Sequence, residues 1–195
     1  MKRIFALAAL LALLLAACST EQSDARVEDL QQRYAAMSGC DAFVDVAVVR
    51  GGETAQYALE ITRDGDGTRV AVVEPEALSG VTAIVSGDDA LSLSFDGMVL
   101  DAGSVDPDIS AVNATNIMLR AAATGYVAER NSERFADTDA LRLCFETEHA
   151  GGTLRVTVWF DAEDAPLYAE IEREGEVLAY LEFTSFQFHD IISAE

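Results

Sequence analysis

The sequence of 195 residues predicts a mainly β protein with one antiparallel sheet and two helices. From residue 41 onward, apolar and polar residues alternate with a period of two, which is typical of strands. Short segments rich in glycine and aspartate separate these strands. Helical spacing occurs over residues 26–38 and in the alanine-rich stretch 109–124. Because consecutive strands joined by short turns pair antiparallel, we expect a sheet that grows along the chain by hairpins.

Residues 1–17 have the pattern of a secretory signal, a charged start followed by an apolar segment too short to span a bilayer. The segment LAAC at residues 15–18, where this signal ends, resembles the lipobox of bacterial lipoproteins. This resemblance implies that Cys18 is acylated (diacylglyceryl and palmitate-type chains), becomes the new N-terminus and anchors the protein in a membrane. The alternative is an ordinary signal whose cleavage site happens to precede a cysteine. Residues 18–24 then form the lipidated cysteine with a short polar tether.

Charge excludes two classes of partner. Cleavage would remove Lys2 and Arg3 and leave 11 basic against 34 acidic residues, a formal charge of −23. Nucleic acids and anionic lipid surfaces both repel such a protein, so we expect no nucleic-acid binding and a membrane contact made by lipid alone. Half of the residues are hydrophobic, which indicates that residues 25–195 form one domain with a true core.

Two cysteines remain after Cys18, and both would be in an oxidising compartment. Cys40 and Cys144 either form a disulfide or lie separately as buried thiols. The sequence leaves both alternatives open, because a disulfide depends on geometry.

The first predicted element is the N-terminal helix, and Gly39 is its C-terminal stop. The second helix, 109–124, interrupts the sheet, and Asp108 or Ser110 supplies its cap. Residues 131–139 are expected to be a polar linker. The predicted strands are 43–49, 54–61, 69–73, 81–85, 90–95, 98–100, 140–147, 153–161, 167–173 and 177–188.

Strand faces indicate where the core lies. Leu154, Val156, Val158 and Phe160 share one face of their strand. A large curved sheet must have its concave side covered, and the two helices are the available cover.

Catalytic and metal-binding patterns are poorly represented. The chain has only two histidines, His149 and His189, and none of the common nucleophile, metal or phosphate motifs. A Cys144–His149 pair is less favoured than a buried thiol beside a hairpin. We therefore expect no enzyme, no cofactor and no metal.

Two consecutive segments resemble a known superfamily. Residues 72–85 are VVEPEALSGVTAIV, and residues 90–100 are ALSLSFDGMVL. They are similar to the outer-membrane lipoprotein carrier and sorting superfamily of LolA, LolB and LppX type, and the order of elements agrees over about residues 25–190. The resemblance implies an unclosed antiparallel half-barrel whose N-terminal and inserted helices form a lid over an apolar cavity.

Carriers of this superfamily shield acyl chains of a lipid or lipoprotein in that cavity. The candidate lining residues are apolar and alternate along predicted strands, and ordinary core is the alternative for each of them: Leu91, Leu93, Phe95, Val158, Phe160, Leu181 and Phe183. In carriers an arginine ties lid to barrel, and Arg33, Arg50 and Arg155 are the alternatives here.

Cys18 separates this chain from soluble carriers and makes it more similar to anchored relatives, including small sporulation and germination lipoproteins. We therefore expect a membrane-anchored protein on the extracytoplasmic face, in the outer membrane if the cell has two membranes. Its predicted function is binding of a lipid or acylated protein. The alternative is a tethered, non-enzymatic scaffold that binds an envelope protein through a sheet edge or its acidic face.

Overall fold

A computed structural model describes residues 25–65, 67–86, 90–104, 108–150 and 152–189. The predicted signal segment 1–17 and residues 18–24 with Cys18 lie outside these ranges. Within them the chain forms two α-helices, one 3₁₀ turn and eleven strands.

The helices are α1 (residues 25–36) and α2 (Ala114–Thr124), and the 3₁₀ turn is Glu76–Leu78. The strands are β1 (Gly39–Arg50), β2 (Glu53–Asp64), β3 (Gly67–Glu74), β4 (Thr82–Val85), β5 (Ala90–Phe95), β6 (Met98–Ser104), β7 (Tyr126–Phe135), β8 (Thr138–His149), β9 (Gly152–Phe160), β10 (Pro166–Arg173) and β11 (Glu176–His189).

All strands belong to one antiparallel sheet in the order β6-β5-β4-β3-β2-β1-β11-β10-β9-β8-β7. Two meanders, β1–β6 and β7–β11, therefore meet where β1 pairs with β11 at the centre. In the described part of the chain β6 and β7 are edges that do not pair with each other, so the barrel is unclosed. This confirms the predicted mainly β half-barrel with an N-terminal and an inserted helix.

One face of this sheet carries the core. Directly opposed residues share a face, and the pairs Val44–Phe183 and Leu143–Val158 are buried. Both helices pack on that face, because Leu30 of α1 and Met118 of α2 belong to the same buried cluster. Full burial of a leucine side chain such as Leu30 contributes about 1.5–3 kcal/mol. We call this the concave face and the opposite side the outer face.

Helix α2 begins five residues later than predicted. Asn113 occupies the N-cap position, and its side chain accepts a hydrogen bond from the Ser110 amide and donates one to the Asp108 carbonyl, both at 2.8 Å. These bonds hold residues 110–113 in a turn that precedes the helix. The predicted cap by Asp108 or Ser110 is therefore wrong.

The predicted linker 131–139 is also wrong, because most of it belongs to β7 and β8. Strand β7 pairs with β8 along its length, from Tyr126 opposite Glu146 to Phe135 opposite Thr138. As an edge strand it has one neighbour, and seven of its ten residues are exposed. Its sequence therefore lacks the alternation that marks a strand with one buried face.

Cys40 and Cys144 are both buried free thiols. Cys40 lies on the concave face among the core residues, whereas Cys144 is opposite Thr157 on the outer face. Burial raises the pKa of the Cys40 thiol to about 11, so it stays protonated at neutral pH. The arrangement corresponds to two separate thiols, since a disulfide requires side chains that point toward each other.

Candidate functional site

Helix α1 is fastened to the turn between β9 and β10. The Tyr34 hydroxyl donates a hydrogen bond to the Asp164 carbonyl at 2.8 Å, and Arg26 donates one to the Asp161 carbonyl at 3.0 Å. Arg33 lies 3.6 Å from the Asp164 carboxylate. Since Tyr34 is buried, its bond contributes to fixing this half of the lid over the sheet.

The other two arginines considered from the sequence have different positions. Arg50 forms an ion pair with Asp108 at 3.1 Å, which connects the β1–β2 turn to the segment before α2. Arg155 pairs with Glu129 on the outer face of the sheet. Arg33 thus joins α1, on which it lies, to the β9–β10 turn, and Arg50 contacts the segment before α2, whereas Arg155 does neither.

Beneath the lid the described residues form a closed core. Val158, Phe160 and Leu181 have no exposed surface and Phe183 is 8% exposed. The Phe160 ring contacts the Tyr34 ring edge-on, with centroids 5.6 Å apart. These four of the seven predicted lining residues therefore pack as core, in one cluster with residues of both helices.

The other three predicted lining residues lie where the concave face is open. Leu91 and Leu93 on β5 are half-buried, and Phe95 is 51% exposed. On β6, Met98 and Leu100 are 66% and 67% exposed. We call these five residues the apolar strip.

Register places the apolar strip on the concave face. Leu93 is opposite the core residue Ala83 on one side and opposite Leu100 on the other, and Phe95 is opposite Met98. The strip therefore continues the core surface past the lid to the sheet edge. Sequence reasoning missed Met98 and Leu100, although the two-residue turn Asp96-Gly97 would have indicated them, since it places Met98 opposite Phe95 on the same face.

A cleft of about 360 Å³ adjoins the strip between the two helices. Val85 in its wall is opposite Leu91 of the strip. Arg63 and Arg120 also line the cleft, as does Asn116, which bonds to the Thr68 hydroxyl at 3.0 Å. The concave side thus offers an apolar surface beside a cleft that contains two cationic side chains.

The described ranges contain no cluster of three histidine, cysteine or acidic side chains arranged to hold a metal ion. Neither described helix is long and apolar enough to cross a membrane.

No protein-family model matches the chain, and no curated protein matches its sequence. Its structure is similar to that of an uncharacterized conserved protein from Thermus thermophilus, with 14% identity and a TM-score of 0.50, over 87% of this chain and 89% of the other.

Two further known structures are also similar to the structure of this chain. The LolA superfamily protein from Nitrosomonas europaea has 9% identity and a TM-score of 0.45, with 86% of this chain and 94% of the other covered. The Mycobacterium tuberculosis lipoprotein LppX has 13% identity and a TM-score of 0.47, with 88% and 97% covered. The strand order and the packing of both helices on one face of the sheet make this chain an unclosed half-barrel with a helical lid, the fold that its sequence resemblance implied.

Proposed function

We propose that this protein is an extracytoplasmic, membrane-anchored lipoprotein that binds the acyl chain of a lipid or of an acylated protein on the apolar strip. The observation that carries the proposal is the exposure of Phe95, Met98 and Leu100 on the face that elsewhere forms the core. Contiguous exposed apolar surface of this kind marks an interaction site in a soluble domain.

An acyl chain is suited to the strip for a physical reason. It is long, flexible and wholly apolar, and burial of each of its CH₂ groups contributes about 0.8 kcal/mol. The strip begins beside the closed core at Leu91 and reaches the sheet edge at Leu100, so one chain can lie along it.

The cleft supports a ligand with an anionic head group. Arg63 and Arg120 line it, and Val85, which lines the same cleft, is opposite Leu91 of the strip. Arginine binds phosphate and carboxylate groups through its planar fork of donors. The proposal therefore places the head group in the cleft and the acyl chain on the strip.

The first test uses two single substitutions, Met98→Glu and Leu100→Glu, in the full chain purified from its host envelope. Each is expected to lower bound lipid at least about tenfold, because a carboxylate would then lie in the acyl contact. Native mass spectrometry of the purified protein and titration with the fluorescent fatty acid cis-parinaric acid would measure the loss.

Val99→Glu is the matched control. Val99 is 66% exposed, on the same strand, but it is opposite Ser94 and points to the outer face. We expect it to keep lipid binding within about twofold of the unsubstituted protein. Equal effects of all three substitutions, or no effect of any, would contradict a concave-face acyl site.

The second test concerns the anchor. Cys18→Ser is expected to abolish incorporation of an alkynyl palmitate label, because serine lacks the thiol that would be acylated. Without the acyl chains the protein is expected to move from the membrane to the soluble fraction. Ser19→Ala, which keeps the cysteine, is expected to leave labelling and fractionation unchanged. Continued labelling of the Cys18→Ser protein would refute acylation at this residue.

A further inference from the structure

The outer face of the sheet carries a row of aromatic side chains on the side opposite the lid. Phe135, Trp159, Tyr168 and Tyr180 belong to β7, β9, β10 and β11. Neighbouring ring centroids are 5.5 Å apart for Phe135–Trp159 and for Trp159–Tyr168, and 6.4 Å apart for Tyr168–Tyr180. The Trp159 indole N–H donates a hydrogen bond to Glu133 at 2.7 Å, which fixes that ring.

This row ends at a groove of about 730 Å³. Tyr168 and Tyr180 form one of its walls, and Gln56, Glu74 and Pro75 of the β2–β3 region form the other. Its floor includes the small residues Ala47 and Ala58, which leave room above the sheet. One wall of the groove is thus aromatic, and no helix of the described chain covers this face.

The charged side chains that line the groove are all acidic. Asp45, Glu74 and Glu182 contribute three exposed carboxylates, and the described residues that line it include no arginine, lysine or histidine. None of the three carboxylates is ion-paired with an arginine within the described ranges. Burial and the nearby Glu170, Tyr180 and Glu182 raise the pKa of Tyr168 to about 12, which is consistent with a local negative potential.

We propose that this groove is a second binding site, which takes an extended segment of a partner protein that carries arginine or lysine. The aliphatic stem of such a side chain packs on the tyrosine wall, and its cationic head reaches the carboxylates. Charge complementarity selects this occupant, because lipid head groups with phosphate, nucleic acids and acidic proteins are repelled. The site is on the opposite face from the acyl site and does not depend on it.

The test is binding of a fluorescein-labelled peptide of eight alternating arginine and threonine residues, measured by fluorescence anisotropy with the full chain in mild detergent. The groove variant Asp45→Asn/Glu74→Gln/Glu182→Gln is expected to weaken binding at least about tenfold. The control variant Asp29→Asn/Glu53→Gln/Asp139→Asn removes three exposed acids elsewhere and is expected to change binding less than about twofold.

Because both variants change the net charge by three, equal weakening would mean general attraction to an acidic protein and would overturn the proposal. A third variant, Ala47→Leu, adds no charge and keeps the three carboxylates but fills the floor of the groove, and it is expected to weaken binding as the groove variant does. Unchanged affinity with Ala47→Leu would likewise overturn the proposal.

Carbodiimide crosslinking gives an independent readout in envelope extracts. The reagent joins carboxylates to amines, and Lys2 in the predicted signal is the chain's only lysine, so a lysine crosslinked to a groove acid belongs to a partner. A crosslinked partner lysine mapped to Asp45, Glu74 or Glu182 is the expected result. Crosslinks spread evenly over the exposed acids would contradict a defined site.

Discussion

Replacing Phe160 by alanine is expected to lower the free energy of unfolding by about 3–5 kcal/mol. Phe160 has no exposed surface and lies under the lid, where its ring contacts the rings of Tyr34 and Phe145. The substitution leaves a cavity whose lining loses its packing partners, and it removes two edge-on aromatic contacts. Helix α1 and the neighbouring strand β8 both contact this ring, so little local collapse can fill the space.

Urea unfolding followed by circular dichroism would measure the Phe160→Ala effect. Phe95→Ala is the matched control, because the same side chain is 51% exposed on the apolar strip. We expect that substitution to cost less than about 1 kcal/mol and to weaken lipid binding instead. Equal losses of stability for the two variants would show that Phe160 is not part of a closed core.

Gly39→Ala is expected to destabilise the protein by an amount near the upper end of about 1–3 kcal/mol. A Cβ atom at this position would lie 2.1 Å from the Arg63 carbonyl oxygen and 2.9 Å from Nδ1 of His189. Backbone on the neighbouring strand is the closer obstacle, so the clash is relieved only if β1 and β2 separate at their ends.

Gly67→Ala is the control for Gly39→Ala. A Cβ atom at residue 67 would meet its nearest neighbours at 3.9 Å, which is ordinary van der Waals contact. Its expected effect is within about 0.5 kcal/mol, with slight stabilisation because alanine restricts the unfolded chain. Comparison of the two denaturation midpoints measures the difference, and similar midpoints would mean that the strand junction tolerates a side chain.

The sheet could be predicted because most strands have one buried face. In β9 the alternation of Leu154, Val156 and Val158 with polar neighbours identified both the strand and its core side. Strand β7 was missed for the complementary reason, since an edge strand with two largely solvated faces has no alternation. The start of α2 was misplaced because the side-chain bonds of Asn113 that terminate the preceding turn leave no periodic signal.

The candidate site could be predicted only in part. Leu93 and Phe160 have the same apolar alternation in sequence, yet one borders solvent and the other is enclosed. The difference depends on how far the helices extend over the sheet, which is a property of packing between distant elements. Sequence periodicity reports the face of a strand, and it carries no information on what lies above that face.

The pairing of β1 with β11 has a consequence for how the chain acquires its structure. Its contacts join residues as far apart as Gly39 and His189, which are 150 positions apart. During synthesis the first meander can form early, but β1 keeps an open flank until the last strand arrives. Folding of such long-range topologies is slow, and a chain halted before β11 would expose this flank to off-pathway association. The β1–β11 pairing at the centre of the sheet is therefore the last part to form, although it is the most protected region of the complete sheet.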